Sequence, residues 1–269
     1  MRRLGASLCL WLALTPATAP AQSYPSIRPE PRTTDAQRMQ SDARRREVAE
    51  RIARAFDLEL RGDWQHAVPE LQRAIALDPG EPQNSTAHYD LALAQAHLGD
   101  LDAARMSLRA AIAKDPDFIA ARVNLVAIDL MRDDLPSARR DADELVARAP
   151  QSARALYEHG LTALRSGDAT TALNDFGVLL ARNPAYATAR YDFALAELKL
   201  GRLGDAERDL RSALALAPGF ARARFALGAV LLREGHRDEA RAAFDEAARA
   251  SQDPSLRDLA LQLRDTIAR

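Results

Sequence analysis

Histidine, cysteine and acidic side chains are the residues that would give this chain catalytic or metal chemistry, and their spacing supports neither. No two histidines stand four residues apart, the spacing that places two metal ligands on one helix face. The chain also lacks a glycine-rich phosphate loop and the H-E-x-x-H and G-x-S-x-G motifs. We therefore expect no metal, no cofactor and no enzyme activity, with ordinary surface or packing roles for the histidines. These are His66, His88, His97, His159 and His236.

An aromatic column is the first constellation that suits binding rather than catalysis. Five positions recur every 34 residues: Tyr89, Val123, Tyr157, Tyr191 and Phe225. Rings in register offer a large contact area at low entropic cost, which suits capture of a peptide or helix. The same rings would serve equally well to pack neighbouring helices together, and the sequence leaves both roles open.

A basic ladder, Arg165, Lys199 and Arg233, recurs with the same period, two residues before a glycine. Such cations bind carboxylates, so an acidic segment or a C-terminal carboxylate is the partner we expect. Cations in the last turn of a helix are also favoured by the helix dipole whatever the function, by about 0.3–1 kcal/mol. The neighbouring acids Glu158 and Asp192 would reduce the positive charge of this surface.

The composition favours helices and gives no electrostatic reason to bind nucleic acid. Apolar residues make up 47% of the 269 residues and aromatic residues only 5%, a mixture that favours helices over sheets. The 37 basic residues nearly balance the 38 acidic ones. A nucleic-acid or anionic-membrane ligand would need local evidence, which the sequence does not offer.

Three columns of small or helix-breaking residues define a repeat. Glycine suits a left-handed turn between two helices, alanine suits a close helix crossing, and proline ends the second helix. The pattern therefore predicts stacked helical hairpins of 34 residues, with three extra residues in a loop at 80–86. The columns are Pro79, Pro116, Pro150, Pro184 and Pro218; Gly62, Gly99, Asp133, Gly167, Gly201 and Gly235; and Ala67, Ala104, Ala138, Ala172, Ala206 and Ala240.

Two stretches, Ala87-His88-Tyr89-Asp90-Leu91-Ala92 and Gly235-His236-Arg237-Asp238-Glu239-Ala240, resemble the signature segments of the tetratricopeptide repeat family. The resemblance covers roughly residues 48–252. It implies an all-α, right-handed helical solenoid of about six helix-turn-helix repeats, closed by a C-terminal capping helix.

The same resemblance places the aromatic column on a concave groove lined by the first helix of every unit. It implies a protein or peptide partner held in that groove. The expected groove residues are Tyr89, Asn124, Tyr157, Tyr191, Phe225, Arg154, Arg165, Lys199, Arg222 and Arg233.

The N-terminal residues have the pattern of a secretory signal peptide. A positive start at Arg2 and Arg3 precedes a short apolar run over residues 4–14, and cleavage is expected after Ala21. The expected organisation is a signal peptide (1–21), a flexible proline-rich arm (22–34), a repeat solenoid (35–254) and a capping helix (255–269). The repeats are placed at about 48–84, 85–118, 119–152, 153–186, 187–220 and 221–254.

These features together predict an exported, periplasmic or secreted adaptor that holds a protein segment in its groove during assembly of a cell-envelope complex. No membrane span is expected after signal removal. The alternative is a self-associating structural component in which the first helix, over residues 36–60, or the groove pairs with another copy. An enzyme is the third hypothesis and has the least support. The sequence does not determine the oligomeric state.

Overall fold

The fold consists of helices throughout the residues described by the computed structural model, which are 35–77 and 84–267. The expected signal peptide and arm, at residues 1–34, lie outside this part of the chain. Within it there are thirteen helices and no strand, and consecutive helices pack as hairpins, which confirms the all-α repeat solenoid. The helices are α1 (Asp35–Leu60), α2 (Trp64–Leu77), α3 (Asn84–His97), α4 (Leu101–Lys114), α5 (Ile119–Met131), α6 (Leu135–Arg148), α7 (Ala153–Arg165), α8 (Ala169–Arg182), α9 (Ala187–Lys199), α10 (Leu203–Leu216), α11 (Ala221–Glu234), α12 (Arg237–Ala250) and α13 (Pro254–Ile267).

Each hairpin turns through a residue with left-handed backbone. The five turn glycines of the column have φ between 72° and 90°, and Asp133, which replaces the sixth, has φ 60°. Glycine adopts positive φ without steric cost, and aspartate is one of the few side chains that tolerates it. The turn closes with a backbone hydrogen bond such as that from the Asp100 N–H to the Gln95 carbonyl, at 2.9 Å. The last carbonyls of the first helix are thereby satisfied.

Small residues set the distance between packed helices. All six alanines of the alanine column are 0% exposed. Glycine has the same role where the facing side chain is phenylalanine. A Cβ added to Gly160 would lie 2.9 Å from Cε1 of Phe176, and one added to Gly228 would lie 3.0 Å from Phe244. A larger residue at these crossings would push the helices apart.

The hairpins stack in chain order, so that each unit covers the apolar face of its neighbour. Helices α5, α7, α9 and α11 also contact one another in sequence, whereas the even-numbered helices pack mainly on the helices that flank them. In a curved stack the more closely spaced row lies inside the curve. The odd-numbered helices therefore form what we call the inner face, and α13 packs on α12 at the C-terminal end.

Helix α1 is a single helix of 26 residues, nearly twice the length of the 14-residue α2 on which it packs. Its C-terminal half is held there by buried Ala55, by Leu58 and by an ion pair between Arg51 and Glu70, at 3.2 Å. Over residues 35–46, every side chain that the structure describes is exposed.

The expected loop at residues 80–86 is wrong at its C-terminal end. Helix α3 begins at Asn84, and the side chains of Asn84 and Ser85 are buried. Residues 84–86 therefore form the first turn of α3 instead of an exposed loop. The turn pattern of the sequence did not reveal this, because Asn and Ser are common both in loops and at helix starts.

His159 on α7 ties together two second helices. Its Nδ1 lies 2.5 Å from Oδ2 of Asp175 on α8, and its Nε2 lies 3.0 Å from Oδ1 of Asp143 on α6. The hydrogen bond to Asp175 raises the pKa of His159 above its usual value, partial burial opposes the rise, and Asp143 adds to it. The imidazolium form is thus the one that bridges the third and fourth units.

This bridge should make stability depend on pH. A histidine whose pKa is raised by folding stabilises the protein fully below its unfolded pKa, near 6.5, and this contribution is lost as pH rises through the folded value. Between pH 6 and pH 8, urea denaturation should show a fall in the free energy of unfolding that His159→Gln reduces. His236→Gln, an exposed control, should keep the wild-type profile. Identical pH profiles for wild type and His159→Gln would contradict the bridge.

The turn glycines offer a test that isolates backbone conformation. Gly201 has φ 76°, whereas Gly204 lies in the first turn of α10 without positive φ, and a Cβ at either meets no atom within 4 Å. Gly201→Ala should lower the free energy of unfolding by about 1–2 kcal/mol. Gly204→Ala should raise it by about 0.5–1 kcal/mol. Equal effects of the two changes in thermal denaturation would show that the left-handed turn is not what the glycine supplies.

Candidate functional site on the inner face

The aromatic column lies on the odd-numbered helices that form the inner face. Tyr89, Tyr157, Tyr191 and Phe225 are half-buried, and Val123, which interrupts the column, is buried in the apolar core. Each ring also packs on another ring of its own unit, so the column has structural contacts whatever else it binds.

A second set of aromatic residues, which the sequence analysis missed, packs against this column. Phe118, Tyr186 and Phe220 occupy the N-cap positions of α5, α9 and α11, where they form no capping hydrogen bond. Ring centroids are 5.0 Å apart for Tyr89 and Phe118, and 5.5 Å apart for Tyr157 and Tyr186. A ring thus replaces the polar cap that usually begins a helix. The signal was available, because these residues share the 34-residue period, with Ser152 in the remaining position.

The tyrosine hydroxyls connect each unit to the next. The hydroxyl of Tyr157 donates to Oδ2 of Asp192 at 2.8 Å, and the side-chain amide of Asn124 donates to the hydroxyl of Tyr89 at 3.0 Å. Both pairs are 35 residues apart, which is one repeat plus one residue. Tyr191 would need a polar residue at position 226, where the chain has alanine, and the described residues offer its hydroxyl no hydrogen bond.

Carboxylates follow the tyrosines along this face. Burial raises the pKa of Glu158 to about 7, against the opposing effect of Arg154, whose Nε donates to Glu158 Oε1 at 3.1 Å. Burial likewise raises the pKa of Asp192 to about 7, while the Tyr157 hydroxyl and the charge of Arg222 lower it. Two of the expected groove arginines, Arg154 and Arg222, are therefore positioned against acids of the same surface, which reduces their availability to a partner.

One cation of the basic ladder is hydrogen-bonded within the chain, and the other two are exposed. Arg165 donates from Nη1 to the Leu130 carbonyl at 2.7 Å and from Nη2 to Oδ1 of Asp133 at 2.9 Å, so it binds the turn of the preceding hairpin. Lys199 and Arg233 are exposed, and the residues at 35–77 and 84–267 supply neither with an ion pair. The C-terminal end of the inner face is therefore open to an anion.

The opposite end of the inner face is acidic. Burial raises the pKa of Glu59 to about 7, with a further rise from the charge of Asp90. Burial alone raises the pKa of Asp90 to about 6. Neither carboxylate forms an ion pair with the described part of the chain, and Oε1 of Glu59 is buried without a hydrogen-bond partner. The inner face is thus polarised, with acid at α1 and α3 and base at α9 and α11.

Apolar surface lies between these ends. Leu93, Leu161 and Leu195, one turn beyond the aromatic column, are only partly buried. A small apolar pocket of about 20 Å³ opens between α3 and α5. Its lining residues are Ala92, Leu93, Ala96, Leu108, Asn124, Ala127, Ile128 and Arg154. The surface combines rings, leucines and charge, which suits a protein segment better than a small polar metabolite.

Two absences hold for residues 35–77 and 84–267. No group of three or more histidine, cysteine, aspartate or glutamate side chains is arranged to bind a metal ion. None of the helices in this part has the length and hydropathy that a membrane crossing requires.

One sequence model described as a tetratricopeptide repeat matches residues 53–117, 131–187 and 157–206. A second model of the same description matches residues 197–263. Together these matches cover well over half of the chain. No curated protein matches it.

Solved structures share the fold at low sequence identity. A tetratricopeptide repeat protein from Parabacteroides merdae ATCC 43184 has a TM-score of 0.61 at 20% identity, covering 82% of this chain and 99% of that one. PilF from Pseudomonas aeruginosa has a TM-score of 0.65 at 18% identity, covering 82% and 99%. YrrB, described as a repeat protein with an unusual peptide-binding site, has a TM-score of 0.55 at 17% identity, covering 71% and 97%.

The hydroxyl of Tyr157 can be tested against a matched neighbour. Tyr157→Phe leaves a buried carboxylate of Asp192 without its donor and should lower the free energy of unfolding by about 1–3 kcal/mol. Tyr191→Phe removes a hydroxyl that has no such partner and should change it by less than about 0.5 kcal/mol. Urea denaturation at pH 8 measures both. A loss of the same size in the two variants would show that the hydroxyl of Tyr157 does not connect the units.

Proposed function

Because the chain belongs to the tetratricopeptide repeat family, we propose that it is a non-catalytic exported adaptor that holds a protein or peptide segment along its inner face. Proteins built from these repeats generally serve as scaffolds for protein–protein interaction. The fold similarity to YrrB, which has a peptide-binding site, supports the peptide-binding part of the proposal. Export to the periplasm or outside the cell rests on the signal-peptide pattern of residues 1–21. Assembly of a cell-envelope complex is the role we infer from these two features.

One observation carries the proposal: the C-terminal end of the inner face presents Lys199 and Arg233, exposed and without ion pairs in the described chain, on the same two helices as the half-buried rings of Tyr191 and Phe225. Open cations on helices that also carry aromatic rings favour a ligand that combines a carboxylate with an apolar side chain. An acidic segment or a free C-terminus has this chemistry. Arg165 contributes less, because the preceding turn already binds its guanidinium.

The proposal predicts that partner capture depends on these two cations. Lys199→Glu with Arg233→Glu should weaken capture of the partner from the native envelope by about tenfold or more, with a strong dependence on salt in the wild type. The matched control is Arg237→Glu with Arg241→Glu, two exposed arginines on the outer helix α12. The control should capture the partner as the wild type does.

Affinity is measured with the captured partner by calorimetry, and circular dichroism checks that each variant keeps its helix content. Equal affinity of wild type and the Lys199→Glu, Arg233→Glu variant would overturn the acidic-partner assignment. Failure of the wild type to capture any envelope protein would overturn the adaptor function itself.

A further inference from the structure

The two helices of each hairpin meet at a pair of positions where the units carry different chemistry. In the second unit, α3 with α4, the pair is neutral, because the Ser107 hydroxyl donates to Oε1 of Gln95 at 2.7 Å. In the sixth unit, α11 with α12, the pair is Leu231 and Ala243, both buried. The third and fifth units place two acids there. From the second unit to the sixth, the first helices contribute Gln95, Asp129, Ala163, Glu197 and Leu231, and the second helices contribute Ser107, Asp141, Asp175, Asp209 and Ala243.

The third unit, α5 with α6, has a cation for its acids. Nε of Arg105, on α4 of the preceding unit, donates to Oδ1 of Asp129 at 2.5 Å, and the Asp129 carboxyl is also hydrogen-bonded to Asp141. Arg105 stands 24 residues before Asp129, and the residue 24 places before Glu197 is Leu173 on α8. The acids of the fifth unit, α9 with α10, therefore lack the arginine that the acids of the third unit have.

Glu197 is buried with no donor for one of its carboxyl oxygens. The residue is 4% exposed, and its Oε2 has no hydrogen-bond partner. Asp209 on α10 is also buried, and its Oδ1 already accepts from Nη1 of Arg190 at 2.8 Å. An ionised carboxylate is far more costly to bury in such a place than the neutral acid. The neutral acid also has an O–H that can donate, which the carboxylate lacks.

The charges around Glu197 add to the effect of burial. Burial is the main cause that raises the pKa of Glu197 to about 7, and the charges of Asp209 and Asp205 on α10 also act to raise it. Arg208 of α10 and Arg202, at the N-cap of α10, oppose the rise. Nη2 of Arg208 donates to Oδ1 of Asp205 at 2.8 Å, so its charge is shared with that acid.

A second acid of α9, Asp192, lies on a different side of the helix. It is five residues from Glu197, which corresponds to about 140° around an α-helix. The groups that act on Asp192 are the hydroxyl of Tyr157 on α7 and the charge of Arg222 on α11. Helix α10 therefore reports on Glu197, and a substitution of Asp192 serves as the control.

We propose that the fifth hairpin is a proton-dependent joint, in which Glu197 packs against α10 as the neutral acid and the hairpin opens more readily once this proton is lost. The ionised side chain would face Asp209 without a donor for Oε2, and opening of the hairpin lets water solvate it. Helix α9 also carries Tyr191 and Lys199. The joint therefore makes the C-terminal end of the inner face sensitive to pH.

The direction of the effect follows from the raised pKa of Glu197. In the open hairpin the side chain titrates near its ordinary value of 4.5, and in the closed hairpin near 7. The closed form gains most from the neutral acid below pH 4.5, and this gain is lost as the pH rises to about 7 and above. Between pH 6 and pH 8 the opening equilibrium should rise about tenfold.

Hydrogen exchange of the full chain, read by mass spectrometry on the amides of α10 and corrected for the intrinsic exchange rate at each pH, tests the proposal. In the wild type, the protection of α10 should fall about tenfold between pH 6 and pH 8. Glu197→Gln gives the fifth unit the residue of the second unit, and Glu197→Leu gives it the residue of the sixth. Both variants should reduce the change in α10 to less than about twofold. Asp192→Asn should keep the wild-type response of α10, and α12 should show no such change in any of these chains.

Protection of α10 that is independent of pH in the wild type would overturn the proposal, and so would a Glu197→Gln variant with the wild-type response. A response of α10 that disappears in Asp192→Asn would assign it to the inner-face acid instead. An equal change in α10 and α12 would assign it to unfolding of the whole stack. Glu197→Gln keeps the shape of the side chain and decides the test if Glu197→Leu does not fold. Exchange is measured without a partner, so failure of partner capture leaves this inference intact, and a flat exchange profile leaves the adaptor function intact.

Discussion

The stack depends on one constraint, which is the close approach of two helix backbones at a residue with no side chain beyond a methyl group. The fully buried alanines of the second helices and the pairing of Gly160 with Phe176 are two forms of the same contact. Because a hairpin of two 13- or 14-residue helices cannot bury its own apolar side, this contact must recur in every unit. Its regular spacing places every other side chain of the repeat in register.

The regular spacing of the repeats explains the electrostatics of the inner face. The hydroxyl of a tyrosine in one unit reaches the residue 35 positions later, in the next unit. A polar residue at that position is therefore buried and hydrogen-bonded, as Asp192 is to Tyr157. Where the tyrosine is absent, another group must take its place. Val123 has no hydroxyl to offer Glu158, and the chain supplies Arg154 from the preceding turn of the same helix. The raised pKa values of both acids follow from their burial.

The fold was predictable from the sequence to a large extent, because turn glycines, small alanines and terminal prolines each act locally and recur. Asp133 departs from the glycine column in the sequence. Its positive φ shows that the position keeps the conformation of the other turns. The inner face was less predictable. The basic ladder looks uniform in sequence, but Arg165 reaches a carbonyl and an aspartate of the preceding hairpin. Such bonds depend on the rotation between units, which no single-unit pattern contains.

The third unit lacks the pair of aromatic residues that other units carry. Val123 and Ser152 stand where the second unit has Tyr89 with Phe118 and the fourth has Tyr157 with Tyr186. The inner face therefore presents one ring pair before this interval, in the second unit, and ring pairs after it in the fourth, fifth and sixth units. A segment long enough to touch rings on both sides of the interval gains from the high effective concentration of its second anchor, whereas a shorter one binds on one side only. Ligand length, as much as ligand composition, would then decide what this surface retains.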